Sequence, residues 1–200
     1  MTTILYKVGN NLYVNITNKC PCNCTFCIRN NADGAYGSDS LWLDHEPSYD
    51  EIIADFSKHD LSQYNEIVFC GYGEPLERID VLTDVCRWLK NHNAPPIRLN
   101  TNGLSDLIHG RPTASMLQDC IDIISISLNA GSEEAYLDVT RPSFGKGSYD
   151  AMLRFAAECK KYIPRVIFSV VDVISPEEIE LGRKRAESMG IEYRVRKYDC

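Results

Sequence analysis

The chain has 200 residues, which suits a single domain. Its 21 Lys and Arg against 28 Asp and Glu give a formal net charge of −7, which argues against a protein whose main task is to neutralise nucleic-acid phosphates. A hydrophobic fraction of 44% excludes a long disordered chain or a fibrous repeat. No apolar run approaches about 18 residues and no signal sequence opens the chain, so we expect a cytoplasmic protein without a membrane partner.

Predicted strands and helices alternate along the chain. Apolar runs rich in β-branched residues predict strands at 12–16, 67–70, 97–100, 123–128, 166–173 and 193–195. Before the first of these strands, the segment Gly9-Asn10-Asn11 predicts the turn of a β-hairpin.

Helix-start signals fall between the predicted strands. Ser48 to Glu51 forms a capping-box pattern, and Ser175-Pro176 opens a helix that Gly190 would end. Further helices are predicted at 79–91 and 148–162, with shorter helical pieces near 113–120 and 132–137.

The alternation predicts parallel strands that are joined by right-handed crossovers. About six strand-helix units fit into this length, too few for an eightfold barrel. The candidates are an open doubly wound sheet and an incomplete barrel. No Pro/Gly/Ser-rich linker or repeat divides the chain, so we expect one domain over residues 1–200.

The nine cysteines are the unusual feature of the composition. In a reducing compartment, cysteines at this density indicate metal ligands or reactive thiols rather than a disulfide framework. Four of them lie between Cys20 and Cys27, in the run CPCNCTFC, while the other five are scattered singly. The sequence therefore places its chemistry in this run, which we call the cysteine loop.

Two metal sites fit the cysteine loop. Cys20-x3-Cys24-x2-Cys27 offers three thiolates, enough to hold a [4Fe–4S] cluster with one iron open. If Cys22 joins them, four thiolates would equally suit a structural zinc ion. The cysteine spacing alone leaves both alternatives open.

Four motifs in chain order carry a family resemblance. The cysteine loop, with Phe26 before its third spaced cysteine, resembles the signature of the radical S-adenosylmethionine enzymes. Gly71-Tyr72-Gly73-Glu74-Pro75 resembles the segment that ends the second strand of that family. The segments at 100–103 and 125–129, NTNG and SISLN, resemble the ends of the third and fourth strands.

The resemblance implies an incomplete (β/α)6 TIM-like barrel of parallel strands with Cys20, Cys24 and Cys27 as the ligands of a [4Fe–4S] cluster. The cluster would cleave S-adenosylmethionine to methionine and a 5′-deoxyadenosyl radical that takes hydrogen from an unidentified substrate. Residues expected to contact S-adenosylmethionine are Phe26, Gly71, Gly73, Glu74, Pro75, Asn102, Ser127 and Asn129.

The chemistry of the residues at the strand ends supports some of these expectations. The two glycines lack Cβ atoms, which would let backbone carbonyls approach the ammonium of the ligand, while Glu74 adds negative charge and Pro75 fixes the loop. A tight turn would use the same glycines. Ser127 and Asn129 lie two apart on a predicted strand, which would place them on one face, towards the ligand.

Three arginines are candidates for binding an anionic substrate or the carboxylate of the cofactor. Arg141 follows the fourth strand and could pair with a carboxylate, although a solvated loop position is an equal alternative. Arg194 and Arg196 alternate on the last strand, so both could face the barrel mouth; ion pairs at the surface are the alternative.

Within this superfamily the chain looks most like the TatD-associated radical S-adenosylmethionine proteins, which implies a possible link to a TatD-family hydrolase but no reaction. Other short barrels leave open a glycyl-radical-type activating enzyme, with a protein substrate, and an enzyme like 7-carboxy-7-deazaguanine synthase, with a small one. We expect a flavodoxin or ferredoxin as electron donor. A non-catalytic zinc-binding module is the remote alternative, and Cys22 and Cys200 have no assigned role.

Overall fold

The computed structural model describes residues 3–198 and contains a seven-stranded sheet with helices between its strands. The strands are β1 (Leu5–Val8), β2 (Asn11–Val14), β3 (Ile67–Phe69), β4 (Ile97–Thr101), β5 (Ile123–Ser127), β6 (Arg165–Val171) and β7 (Glu192–Arg196). The helices are α1 (Tyr49–Phe56), α2 (Ile79–Asn91), α3 (Ser105–His109), α4 (Glu133–Thr140), α5 (Ser148–Cys159) and α6 (Pro176–Met189).

The strands follow one another in the sheet in chain order, from β1 to β7. β1 and β2 form the predicted antiparallel hairpin, and β2 to β7 are all parallel. A doubly wound sheet would reverse its strand order, so that alternative is wrong. The predicted incomplete barrel of six parallel strands is confirmed, because the sheet is not closed.

The helix signals in the sequence are largely confirmed. Ser48 and Glu51 form a complete capping box at the start of α1, and α2 has the predicted limits. Ser175 caps α6, which ends at Gly190 in the left-handed conformation. The predictions were wrong in length for α5, which stops at Cys159, and for 113–120, which contains only a 3-10 turn over Ala114–Leu117.

In β4 and β5 an apolar outer face alternates with an inner face that carries polar side chains. In β4, Ile97, Leu99 and Thr101 are buried, while Arg98 and Asn100 are partly exposed and line a cavity. The outer face packs against the helices in one apolar core. The interior of a small barrel is either filled by packed side chains or holds a small ligand. The cavity beside Arg98 and Asn100 shows that this interior is not filled, so a ligand has room there.

None of the helices in the described part of the chain is long and apolar enough to cross a membrane.

Candidate functional site

The candidate site lies in a cavity at the carboxyl ends of the parallel strands. The cavity measures about 490 Å3, and its wall includes the cysteine loop, which follows β2. The ends of β3, β4 and β5 contribute Gly71, Asn102 and Ser127. Parallel barrels bind their ligands at this end, because the loops that follow the strands converge there.

All four thiols of the cysteine loop line this first cavity, Cys22 included. Hydrogen bonding with Cys22 lowers the pKa of Cys20 to about 7 and also lowers the pKa of Cys24. The same hydrogen bonds raise the pKa of Cys22, and burial raises that of Cys27. The shifts therefore favour the thiolate form at Cys20 and Cys24 over Cys22, and the thiolate is the form in which cysteine binds a metal.

Within residues 3–198, no group of three or more His, Cys, Asp or Glu side chains is placed to hold a metal ion. A zinc site needs its four ligands around one point. A [4Fe–4S] cluster is larger, and Cys20, Cys24 and Cys27 all line the first cavity.

Helix α4 anchors the cysteine loop through backbone hydrogen bonds. The amides of Asn23 and Thr25 donate to carbonyl oxygens at the end of α4, at 3.0 and 2.9 Å. Arg29 donates to the carbonyl oxygen of Cys22 at 3.1 Å. Phe26 lines the cavity, whereas Arg141 ends α4 in the left-handed conformation and is exposed away from the cavity wall.

The two glycines after β3 are in close contact with the preceding loop. A Cβ atom at Gly71 would collide with the side chain of Asn15, and one at Gly73 would collide with the carbonyl oxygens of Thr17 and Lys19. Gly71 lines the first cavity and Gly73 a second one. Close packing against the loop that leads to Cys20 thus explains both glycines without any ligand.

Glu74 is buried and joins two strand ends. Its carboxylate accepts hydrogen bonds from the amides of Leu76 and Asn102, at 3.0 and 2.7 Å, and from the Thr101 hydroxyl at 2.7 Å. Burial raises the pKa of Glu74 to about 8, and Cys20 adds to the effect, while these donors oppose it. Pro75 is buried at the start of a 3-10 turn, behind the cavity wall.

Asn102 connects the end of β4 with the cysteine loop. Its side-chain amide points at the Cys20 sulfur, at 4.0 Å, and its side-chain oxygen accepts from the Leu104 amide at 2.8 Å. The NTNG segment at 100–103 therefore contacts Cys20 through Asn102.

Ser127 and Asn129 line the same cavity, but not for the predicted reason. β5 ends at Ser127, and Asn129 lies beyond it with a φ of 57°, so the two residues do not share a strand face. The left-handed turn brings Asn129 back to the wall. Its buried Oδ1 has no hydrogen-bond partner among residues 3–198.

Tyr136, which was not predicted from the sequence, is a second residue on this wall with an unpartnered polar atom among residues 3–198. Its hydroxyl is buried and lacks a partner in the part of the chain that the structure describes. Tyr136 lies in α4 and lines the first cavity beside the cysteine loop. Because buried polar groups are nearly always hydrogen-bonded, Tyr136 and Asn129 fit a wall built for a polar ligand.

A second cavity of about 310 Å3 adjoins the first, since Asn100, Asn102 and Ser127 line both. Arg194 lines the second cavity and Arg196 lines both, as their alternation on β7 predicts. Arg98 also lines the second cavity and was missed, although its alternation with Asn100 in IRLNT was a usable signal. Cys200 lies outside the described residues.

Three solved structures with the same fold are distant in sequence. SuiB of Streptococcus suis bound to precursor peptide SuiA gives a TM-score of 0.69 at 15% identity, over 98% of this chain and 40% of that one. A radical SAM methyltransferase from Sphaerobacter thermophilus gives 0.61 at 16% identity, over 96% and 68%. Methylornithine synthase, PylB, gives 0.66 at 13% identity, over 94% and 53%.

This chain thus spans less than half the length of SuiB and about half that of methylornithine synthase. No curated protein matches the sequence. The profile of the radical SAM superfamily matches residues 14–181. That range includes the cysteine loop and the ends of β3, β4 and β5. The chain belongs to the radical SAM superfamily, whose members use a [4Fe–4S] cluster and S-adenosylmethionine as cofactors.

Proposed function

We propose that this protein is a radical S-adenosylmethionine enzyme in which Cys20, Cys24 and Cys27 hold a [4Fe–4S] cluster. The observation that carries the proposal is their common placement around one cavity, together with the ends of three successive parallel strands. Three ligands suit a cluster that must keep one iron open for S-adenosylmethionine. Cys22, whose pKa is raised, then stays a thiol and is not a ligand.

The wall of the first cavity offers partners for a polar cofactor. Asn129 Oδ1 can accept a hydrogen bond and the Tyr136 hydroxyl can donate one, and both lack partners within residues 3–198. Ser127 lies between the two cavities and Phe26 beside the thiols. Glu74 holds the β3 and β4 ends together, which positions Asn102 and Gly71 on the wall.

Cys20, Cys24 and Cys27 would hold the cluster, which once reduced would supply the electron for cleavage of S-adenosylmethionine to methionine and a 5′-deoxyadenosyl radical, and this radical would take hydrogen from the substrate. The chain positions the cofactor and keeps water away from it. Polar side chains on the barrel's inner face would orient the substrate next to the first cavity. The reaction is of the oxidoreductase or lyase type, with an unidentified substrate.

The subgroup, electron donor, compartment and substrate class of this protein are further parts of the proposal. The motif pattern favours the TatD-associated subgroup and so a functional link to a TatD-family hydrolase. We propose flavodoxin or ferredoxin as electron donor, and the cytoplasm as the compartment, because free thiols at this density suit a reducing environment. Small-molecule and protein substrates, as in 7-carboxy-7-deazaguanine synthase-like and activating enzymes, remain the two classes to screen.

Iron and sulfide content of single cysteine variants tests the ligand set. After anaerobic reconstitution, Cys20→Ala, Cys24→Ala and Cys27→Ala should each lose the four-iron cluster. Cys22→Ala should retain about four irons per chain, and Cys86→Ala, a buried cysteine of α2, serves as the matched control. A zinc module using all four cysteines would instead lose its metal in Cys22→Ala and bind one zinc in the wild type.

A further inference from the structure

Positive charge is concentrated in the second cavity of an acidic protein. The chain has a formal net charge of −7, yet Arg98, Arg194 and Arg196 line this cavity of about 310 Å3. Among the described residues on its wall, Glu74 is the acidic one, and it already accepts three hydrogen bonds from protein donors. The cavity therefore has more cationic than anionic groups available to a ligand.

Arg98 has a donor that the protein leaves unused. Its side chain is 12% exposed, and its Nη2 lies 3.2 Å from the carboxylate of Glu66. Its Nε is buried and has no hydrogen-bond partner among residues 3–198. A buried N–H without an acceptor is unfavourable, so an acceptor that enters the cavity would satisfy it.

Sheet register aligns further donors on the wall of the second cavity. Ser127, Ser169 and Arg194 are paired with one another across β5, β6 and β7, and all three line the second cavity. Arg196 follows two residues after Arg194 on the same strand. Within residues 3–198, neither arginine of β7 lies within 4.0 Å of an acidic group. Guanidinium and hydroxyl donors together suit the oxygens of a carboxylate or phosphate.

This group of donors is separate from the cluster thiols. Of these two cavities, Arg98 and Arg194 line the second and not the first, whereas Cys20, Cys24 and Cys27 line the first and not the second. Arg196 lines both and is therefore the arginine that a cofactor in the first cavity could also reach. Arg98, which is largely buried, and Arg194, which is exposed on β7, are placed instead for a molecule in the second cavity.

We propose that the second cavity binds an anionic group, a carboxylate or a phosphate, of a small-molecule substrate between Arg98 and Arg194. That the anion belongs to a substrate rests on the proposed function, whereas the anion site itself depends only on the residues that line the cavity. A volume of about 310 Å3 is within the range of small-molecule sites. The inference favours small acidic metabolites over uncharged compounds in a substrate screen.

Protection of arginines from phenylglyoxal tests this proposal in the cluster-loaded protein under anaerobic conditions. Inorganic phosphate and succinate are the two probes, titrated separately at constant ionic strength with chloride. Modification of Arg194 is followed by peptide mass spectrometry, and Arg154, exposed on α5, is the control within the same molecule. Saturable protection of Arg194 by one probe, with none at Arg154, is expected, and the effective probe identifies the anion class.

Substitution of Arg98 then shows whether both arginines hold the same anion. In Arg98→Gln, the probe concentration that half-protects Arg194 should rise about tenfold or more, because a charge-assisted donor is lost. In Arg154→Gln it should not change. The wild-type protection pattern is decisive even if Arg98→Gln does not fold.

Three results would overturn the proposal. They are no protection of Arg194 by either probe, unchanged protection in a folded Arg98→Gln variant, and protection of Arg194 by S-adenosylmethionine alone. The third result would assign the arginines to the cofactor. Formation of 5′-deoxyadenosine by the wild type is measured in parallel: if it is absent while phosphate still protects Arg194, the radical chemistry fails and the anion site stands.

Discussion

The carboxylate of Glu74 accepts a hydrogen bond from the backbone amide of Asn102 at 2.7 Å, which joins the ends of β3 and β4 beneath the candidate cofactor site. The Thr101 hydroxyl and the Leu76 amide donate to the same carboxylate. Glu74 is 3% exposed, so in the folded protein its carboxylate is the acceptor on which these donors depend. Glu74 is thus part of the scaffold that holds the site.

Glu74→Ala should lower the free energy of unfolding by about 3 kcal/mol, because it leaves three buried donors without acceptors. Urea denaturation measures the change. Glu187→Gln, at an exposed position of α6, is the matched control and should stay within about 0.5 kcal/mol of the wild type. A Glu74→Ala variant as stable as this control would contradict the bridging role.

Gly73→Ala should destabilise the protein by about 1–3 kcal/mol, because its new methyl group meets backbone carbonyl oxygens of Thr17 and Lys19 that cannot move as a side chain would. The same displacement should reduce the iron retained after reconstitution. Gly9→Asn is the control, since Gly9 has a φ of 57° and open space around it, and Asn tolerates this conformation. Equal stability and iron content in both variants would refute the packing role of Gly73.

Loss of the hydroxyl should lower protein stability at one of two neighbouring buried tyrosines but not at the other. The rings of Tyr136 and Tyr149 lie 5.3 Å apart, and the Tyr149 hydroxyl donates to the Gly131 carbonyl at 2.7 Å. Tyr149→Phe should cost about 1 kcal/mol of stability. Tyr136→Phe should leave the cofactor-free protein unchanged or up to about 1 kcal/mol more stable, because it removes an unpartnered group.

If the Tyr136 hydroxyl contacts the cofactor, Tyr136→Phe should also weaken the binding of S-adenosylmethionine, which equilibrium dialysis with the cluster-loaded protein measures. A loss of stability in Tyr136→Phe equal to that in Tyr149→Phe would show that its hydroxyl has a partner within the protein.

Stability should depend on pH through the capping box of α1. Hydrogen bonds from the Ser48 amide, His45 and the Ser48 hydroxyl lower the pKa of Glu51 from 4.5 to about 2. Because the folded pKa is depressed, the stabilisation is present above pH 4.5 and is lost as the pH falls towards 2. The wild type should therefore lose its stability advantage over Glu51→Gln in this window, as urea denaturation at pH 6, 4 and 2.5 would show. A pH-independent difference between the two proteins would contradict the pKa shift.

Much of the fold was predictable because its signals are local. Alternating apolar runs and start signals such as Ser48 and Ser175 predicted the hairpin, the six parallel strands and most helices. Helix α3 was missed, because five residues after a strand-end turn are too few for a helical period. The α5 end and the 3-10 turn at Ala114–Leu117 also differed, since boundaries depend on tertiary packing.

The site was predictable where motifs mark it and not where the fold creates it. The cysteine loop, Gly71, Asn102 and Ser127 converge on one cavity. Asn129 reaches it through a left-handed turn that strand periodicity does not reveal. Which donors lack partners, as in Tyr136 and Arg98, depends on contacts between distant elements, so no sequence pattern indicates them.

Reductive cleavage of S-adenosylmethionine tests the central claim most directly. The protein is reconstituted anaerobically with iron and sulfide, reduced in the presence of S-adenosylmethionine, and assayed for 5′-deoxyadenosine and methionine by mass spectrometry. The account predicts both products in the wild type and in Cys22→Ala, and neither in Cys24→Ala. A wild type that binds zinc in place of a four-iron cluster, or products that persist in Cys24→Ala, would contradict it.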